Sequence, residues 1–390
     1  MKNRRNFIKS AVGASMGLLT ASHLLGNELP VNTFPSSGKN EIAPFTSSLR
    51  ANNQSSRIRF SVIGLNHPHI YGMVRTIIGG GGELTTFYAK EEDLADEFLK
   101  TFPQTKRVAT EAEILDDNTI QLVLSASISN ERAPLGIRVM EHGKDFMVAK
   151  PGITSLAQLA DVRKVQKKTG RIFSINYGRL GSNTLLKASE LIKAGAIGKV
   201  IQVIGKSPHR IRLQHRPDWF YDKKYFGGVI CDLVTHELDS FLFLTGSTSG
   251  KIIASQTGNF NHPQYKDFED FGDVMIQGNH GTGYFRVDWL MPDGVAISGD
   301  SRTTILGTDG YIEIRGAIDL AGRKGGNHLF LVDHKEVQYF DCNDVETEHG
   351  KQLVDDVVNR TETVMTQSHC FLATELTLLA QKKAIRIEKT

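Results

Sequence analysis

Asp232 and His236 stand four residues apart in a run that opens on Gly227-Gly228 and leads into an apolar stretch. On a helix, positions i and i+4 share a face. A carboxylate beside an imidazole orients the ring and raises its basicity, which is what a general base requires. An Asp/His pair on a helix is by itself more often structural than catalytic. Its place after a glycine pair and before an apolar run shifts the weight toward chemistry, and Asp239 continues the same face one turn on. A second reactive candidate is Lys150, followed by Pro151-Gly152 at the end of the apolar run Asp145-Phe-Met-Val148. Proline fixes the backbone there, and a desolvated lysine can hold and polarise a hydroxyl or carbonyl oxygen.

These groups need elements to position them. Strand-like runs at 58–64, 83–88, 120–125, 145–148 and 171–175 alternate with helical patterns at 70–78, 93–102, 132–141 and 155–168. That rhythm predicts a doubly wound parallel sheet, the Rossmann arrangement, whose ligands lie outside the carboxyl ends of the strands. Lys150 falls at such an end. Beyond residue 176 the rhythm changes. A helix near 230–244 carries Asp232 and His236, and six strand-like runs between 252 and 332 follow without intervening helices. This predicts a second α/β domain built on a large, mostly antiparallel open sheet. The fold class expected is therefore α/β, with boundaries at 57–176 and 177–390.

The first strand-to-helix turn of such a sheet should cradle a pyrophosphate on glycines. Here it reads Gly64-Leu65-Asn66-His67-Pro68-His69, with one glycine of the usual three. Asn66 tolerates left-handed geometry, and the helix start can still attract a phosphate. Lys90, just past the second strand, suits a 2′-phosphate and leans toward NADP over NAD. It reads equally as a solvated charge. Ser125 closes the strand at 120–125, on the cofactor side. A metal held by His67 or His69 with Asp232 or His236 is a minor alternative, and no metal is assigned.

The chain holds 46 basic and 43 acidic residues, a balance that argues against nucleic acid as a partner. Cys231, Cys342 and Cys370 form no paired spacing, so free buried thiols are expected. Arg4-Arg5-Asn-Phe-Ile-Lys9 precedes a short apolar core, which predicts a signal peptide over 1–26 of twin-arginine type, export to the periplasm and no membrane span after its removal. Residues 27–56, rich in Ser, Asn and Pro, read as a disordered tether.

The run Gly227-Gly-Val-Ile-Cys-Asp232-Leu-Val-Thr-His236-Glu-Leu-Asp239 resembles the active-site helix of the Gfo/Idh/MocA oxidoreductases, a family that includes glucose–fructose oxidoreductase and inositol 2-dehydrogenase. Lys150-Pro151 is similar to that family's Glu-Lys-Pro, with Ala149 in place of the acid. Asn176-Tyr-Gly-Arg179 is similar to its segment beside the cofactor. The resemblance extends from about Ile58 to the C-terminus. It implies hydride transfer between NAD or NADP and a sugar, polyol or glycoside. His236 would be the base, Lys150 would hold the oxygen, and Asp232 would position the substrate or His236. Gly64, Asn66, His67, His69, Lys90, Ser125, Lys150 and Arg179 would lie near the cofactor. Arg212, His215, Arg216, Trp219 and Tyr225 would line the sugar pocket, although packing would explain Trp219 as well. A homodimer or homotetramer through the second sheet is implied too. The departures from the family pattern keep two further functions open: a redox-neutral glycoside cleavage with retained NAD(P), and a cofactor-free carbohydrate-binding protein.

Overall fold

The computed structural model describes residues 56–388. The segment expected to be a twin-arginine-type signal peptide, and all but the last residue of the expected tether, lie outside the described residues. The first sheet contains β1 (Ile58–Ile63), β2 (Gly82–Tyr88), β3 (Lys106–Arg107), β4 (Leu122–Ser125), β5 (Asp145–Ala149) and β6 (Phe173–Asn176). All are parallel, in the order β3-β2-β1-β4-β5-β6. This is the doubly wound sheet expected, and its central strands are buried on both faces, as their continuous apolar runs require. Ser155 caps the helix Leu156–Thr169 by accepting from the Gln158 amide at 3.2 Å. β3 escapes the periodicity because it is only two residues long.

The second sheet has nine strands: β7 (Val200–Pro208), β8 (Gly250–Gly258), β9 (Phe271–Gly278), β10 (Gly281–Asp288), β11 (Arg302–Gly307), β12 (Gly310–Arg315), β13 (His328–Asp333), β14 (Val337–Asp341) and β15 (Ile385–Ile387). Their order is β14-β13-β12-β11-β7-β10-β9-β8-β15, antiparallel except for the β7/β10 and β8/β15 pairs. The inner face packs on the helix Thr235–Thr245, where Val203, Phe285, Ile276 and Ile305 are sealed against Leu238, Phe241 and Leu242.

Two C-terminal helices depart from a simple division at residue 176. The helix His349–Asn359 packs on the first sheet's helix His69–Gly79, with Leu353, Val354 and Val357 buried beside Ile70, Met73 and Ile77. Burying each such side chain contributes about 1.5–3 kcal/mol, enough to hold a helix that is far away in sequence. The last helix, Gln367–Lys383, touches both halves. Gln367 Oε1 accepts from the Phe173 amide at 2.9 Å in β6, and Gln381 Oε1 accepts from the Cys231 amide at 3.0 Å on the helix of Asp232. Both sheets therefore share one fixed frame around the cleft between them. Cys231, Cys342 and Cys370 are free and buried. No described helix is long and apolar enough to cross a membrane.

Candidate functional site

Lys150 leaves the carboxyl end of β5 and reaches across the cleft. Its Nζ stands 3.0 Å from Asp232 Oδ1 and 3.2 Å from the Asp232 carbonyl oxygen. Both residues are only 7% exposed. Burial lowers the Lys150 ammonium from its ordinary value, and the Asp232 carboxylate works against that shift. The loop bearing Lys150 is held by Arg132, a fully buried side chain. Its Nη1 donates to the carbonyls of Ala149, Lys150 and Pro151, at 3.2, 2.7 and 3.1 Å. Its Nε donates to the Ser127 carbonyl at 2.7 Å, and burial brings the guanidinium down to about 10. Sequence reasoning missed this residue, which read only as the first position of a helix.

The helix of Asp232 starts with a π-turn, Ile230–Val234, before the regular helix Thr235–Thr245. Wider turns of this kind recur at functional sites. Gly228 enters it at φ +103, and a Cβ there would lie 2.4 Å from Gln381 Oε1. The local winding changes the expected Asp232/His236 partnership. Asp232 bonds Lys150, whereas His236 Nδ1 accepts from the Gly178 amide at 2.8 Å. An amide N–H can only donate, so the His236 proton resides on Nε2. Burial, followed by the charge of Lys150, holds the ring neutral, well below its usual value. His236 therefore presents a donor to the cleft. The expected role of Asp232 as orienting group for a basic His236 gives way to an Asp232–Lys150 pair.

His209, at the end of β7, has the opposite tautomer. Its Nδ1 donates to the Ser207 carbonyl at 2.9 Å, which leaves Nε2 as a bare acceptor, and burial brings the ring down to about 4. His209 and His236 line one cavity of about 300 Å³ together with Ser207, Glu237 and Ser240. One neutral ring donates and the other accepts, a pairing suited to hydroxyl groups. Nothing in the sequence singled out His209, because only the sheet brings it to the site.

The fingerprint turn borders this region. His67 and His69 pack edge to face with centroids 4.1 Å apart. Burial holds His67 well below its usual value. His69 stands at the rim, open to water on one side, and the protein around the rest of its ring, with the Lys150 charge, brings it down to about 3. Among the described residues no three His, Cys, Asp or Glu side chains converge on a metal-sized site.

A cavity of about 500 Å³ opens beyond the carboxyl ends of β1, β2 and β4, lined by Gly64, Asn66, Tyr88, Lys90, Glu91 and Ser127. Gly64 turns at φ +86, and a Cβ there would sit 2.6 Å from Ser127 Cβ, so only glycine lets the two strand ends approach. Asn66 Nδ2 donates to Glu91 Oε1 at 2.8 Å. Glu91 was missed because it lies three residues past Tyr88, the strand's end. It stands where a carboxylate can accept from ribose hydroxyls. Two expected cofactor residues lie elsewhere. Ser125 is fully buried, and Ser127 faces the cavity in its stead. The Arg179 guanidinium is committed to buried Asp239 at 2.8 and 3.1 Å and stacks on Phe243.

The expected sugar-pocket residues divide. Arg216 packs on the Trp289 ring, which in turn meets the ring of His209 at the cleft. Arg212 and His215 are exposed along a separate cavity of about 600 Å³, where Arg212 bonds Ser298. Trp219 packs beside Phe220 against the core, and Tyr225 lies under the Lys224 ammonium.

Comparison with known proteins agrees with this geometry. Residues 185–313 match the model of the GFO/IDH/MocA C-terminal domain. A crystal structure from Erwinia carotovora atroseptica SCRI1043, provisionally named an oxidoreductase, is 43% identical, covers 85% of this chain and 99% of its own, and superposes with a TM-score of 0.83. The chain belongs to the Gfo/Idh/MocA oxidoreductases. A D-xylose dehydrogenase from Paenarthrobacter nicotinovorans is 23% identical over 32% of this chain and 33% of the relative. A levoglucosan dehydrogenase, solved with NADH and levoglucosan, shares the fold at 15% identity and a TM-score of 0.69, covering 84% of this chain and 96% of its own. The matches span about a third to a half of the first curated relatives' lengths, at 33% and 55%.

Proposed function

We propose that this protein is a nicotinamide-dependent oxidoreductase acting on a carbinol of a sugar or polyol. The observation that carries the proposal is the buried Lys150–Asp232 pair, at the ligand edge of a doubly wound sheet and next to a nucleotide-sized cavity. The residues fit NAD. Among the described residues, nothing accepts from the amides of Asn66 and His67 at the turn where a pyrophosphate would rest. Glu91 would take the ribose hydroxyls and repel a 2′-phosphate, which outweighs solvent-exposed Lys90 and favours NAD over NADP. The sugar and NADH named for one relative, and the sugar named for another, support the same class.

The nicotinamide would supply the hydride acceptor. The carbinol carbon would give up its hydride, and the hydroxyl proton would pass to Lys150 Nζ after the resting ammonium, paired with Asp232, has lost its own proton to give the amine form. Burial favours that form, and Asp232 stabilises the ammonium that results. His236 Nε2–H donates to the same oxygen and keeps it in line, while His209 Nε2 accepts from a neighbouring hydroxyl. The direct test combines mass spectrometry of nucleotide released from the purified protein with thermal shift on adding NAD or NADP, then absorbance of reduced nicotinamide with a polyol panel. Stabilisation by NAD and net reduction support the proposal. Turnover of glycosides with bound nucleotide and no net reduction replaces it with the redox-neutral reaction, and no response to either nucleotide refutes it.

Two further properties belong to the proposal. The outer face of the second sheet exposes Ile204, Met275 and Leu306 at 44%, 47% and 42%, and Ile204 and Met275 both neighbour Tyr284 in register. This apolar face supports self-association through the sheet. Export in the folded state is supported by Arg4-Arg5 and the apolar run behind them.

A further inference from the structure

Arg216 is a cation of the cleft that forms no ion pair among the described residues and stays partly exposed. Its guanidinium carbon lies 4.4 Å from the centre of the Phe220 ring and 4.9 Å from that of Trp289, in the corner formed by two rings that meet edge to face with centroids 5.3 Å apart. Its Nε donates to the Ile211 carbonyl at 3.1 Å. That bond fixes the plane of the fork and leaves both terminal nitrogens without an acceptor among the described residues. No described carboxylate pairs with it. The guanidinium lies next to the reacting centre, because the Trp289 ring on which it packs also meets the His209 ring edge to face with centroids 5.4 Å apart.

The other charges nearby are accounted for. Lys150 is matched by Asp232, and Arg132 is sealed at 1% exposure with its Nε and Nη1 on main-chain carbonyls. The four histidines are neutral. Of the cations packed at the reacting centre, Arg216 is the partly exposed one with both terminal nitrogens free among the described residues, preorganised as a planar two-nitrogen donor. A neutral sugar would leave it uncompensated, whereas a monoanion with two coplanar oxygens would complete it.

We propose that the substrate is a sugar acid, an aldonate or uronate, whose carboxylate is gripped by Arg216 while its carbinol lies against Lys150 and His236. This rests on the oxidoreductase reading above and deepens it by naming the substrate class. Arg216 is then the specificity-determining residue, and its packing on Phe220 and Trp289 limits the entropy lost on binding.

The test uses the full-length protein with NAD and matched pairs: gluconate against glucitol, glucuronate against glucose, galacturonate against galactose, with glucose 6-phosphate as a phosphate control. Binding is read by calorimetry and thermal shift, turnover by nicotinamide reduction. At least one acid should exceed its neutral partner by about 10- to 100-fold in affinity or kcat/KM, and in Arg216→Gln that ratio should fall to within about threefold. If acids bind in an Arg216-dependent way and none reduces NAD, the carboxylate site stands and the hydride reading falls. If acids and neutral sugars reduce NAD alike, the hydride reading stands and the carboxylate assignment is overturned. No acid-dependent shift across the panel also overturns it, as does tighter binding of glucose 6-phosphate than of every acid.

Discussion

Replacing Asp232 with Asn removes a charge from the cleft and little else. Lys150 Nζ lies 3.0 Å from Asp232 Oδ1, and both residues are 7% exposed, so water cannot take over the lost partnership. Removing one member of a buried pair costs about 3–5 kcal/mol. Asparagine keeps an acceptor oxygen, and the Asp232 carbonyl at 3.2 Å is untouched. The expected loss is therefore about 2–3 kcal/mol near neutral pH, the difference between a charge-assisted and a neutral hydrogen bond plus residual desolvation. The loss must depend on pH with a definite sign. Burial already lowers the Lys150 ammonium, and without the carboxylate it falls further. Between the folded value and the unfolded lysine value, the unfolded chain binds more protons, so stability rises with pH by up to about 1.4 kcal/mol per unit. The full penalty is present below the folded value of Lys150 and is relieved as pH climbs toward about 10.4, the unfolded lysine value.

Guanidinium unfolding followed by the fluorescence of Trp219 and Trp289, at pH about 7 and about 9.5, measures both quantities. The Asp232→Asn deficit should shrink at the higher pH, and hydride transfer should fall with it. A deficit equal at both pH values, or below about 0.5 kcal/mol at neutral pH, would refute the buried-pair argument. The paired change Lys150→Met with Asp232→Leu should recover most of the stability while abolishing turnover, since apolar replacement of a buried pair is often near neutral.

The tautomer of His236 is tested by comparing two amides. Gln places a donor near the Nε2 position and should retain activity to within about tenfold, whereas Asn loses that donor and should lose about 10²–10³-fold in kcat; equal losses would restore His236 as the base. Glu91→Gln should weaken NAD binding by about tenfold and narrow the preference over NADP, read by calorimetry with each nucleotide. Glu237 is buried with Ser207 as its hydrogen-bond donor, and burial raises its carboxyl above the ordinary value. Its favourable term is therefore complete below the unfolded carboxyl value and lost as pH rises through the folded one. Glu237→Gln should add about 1 kcal/mol at neutral pH and nothing near pH 4, measured by denaturant titration.

What the sequence made legible follows from what its patterns encode. Strand and helix periods report burial, and they placed the first sheet, Lys150 at its ligand edge, and the strands of the second sheet up to β13, but neither β14 nor β15. Residue spacing also singled out Asp232 and His236, but it could not report their partners. The i, i+4 rule assumes regular winding, and the π-turn at Ile230–Val234 sets that rule aside, sending the carboxylate to Lys150 and the imidazole to Gly178. Glu91 and His209 carry no local signal at all. The first acquires meaning from where β2 ends, and the second from a strand that runs parallel to β10 and delivers its end to the cleft. Arg132 and Arg216 show the same limit from the side of charge. In sequence Arg132 is an unremarkable basic residue, Arg216 is one of five expected sugar-pocket residues, and Arg179 is expected near the cofactor. Burial decides between them: Arg132 is sealed with Nε and Nη1 on carbonyls, Asp239 holds Arg179, and Arg216 stays partly exposed beside Trp289 and His209 with both terminal nitrogens free among the described residues. A site's chemistry is thus set less by which ionisable residues a chain carries than by which of them the fold leaves without a partner.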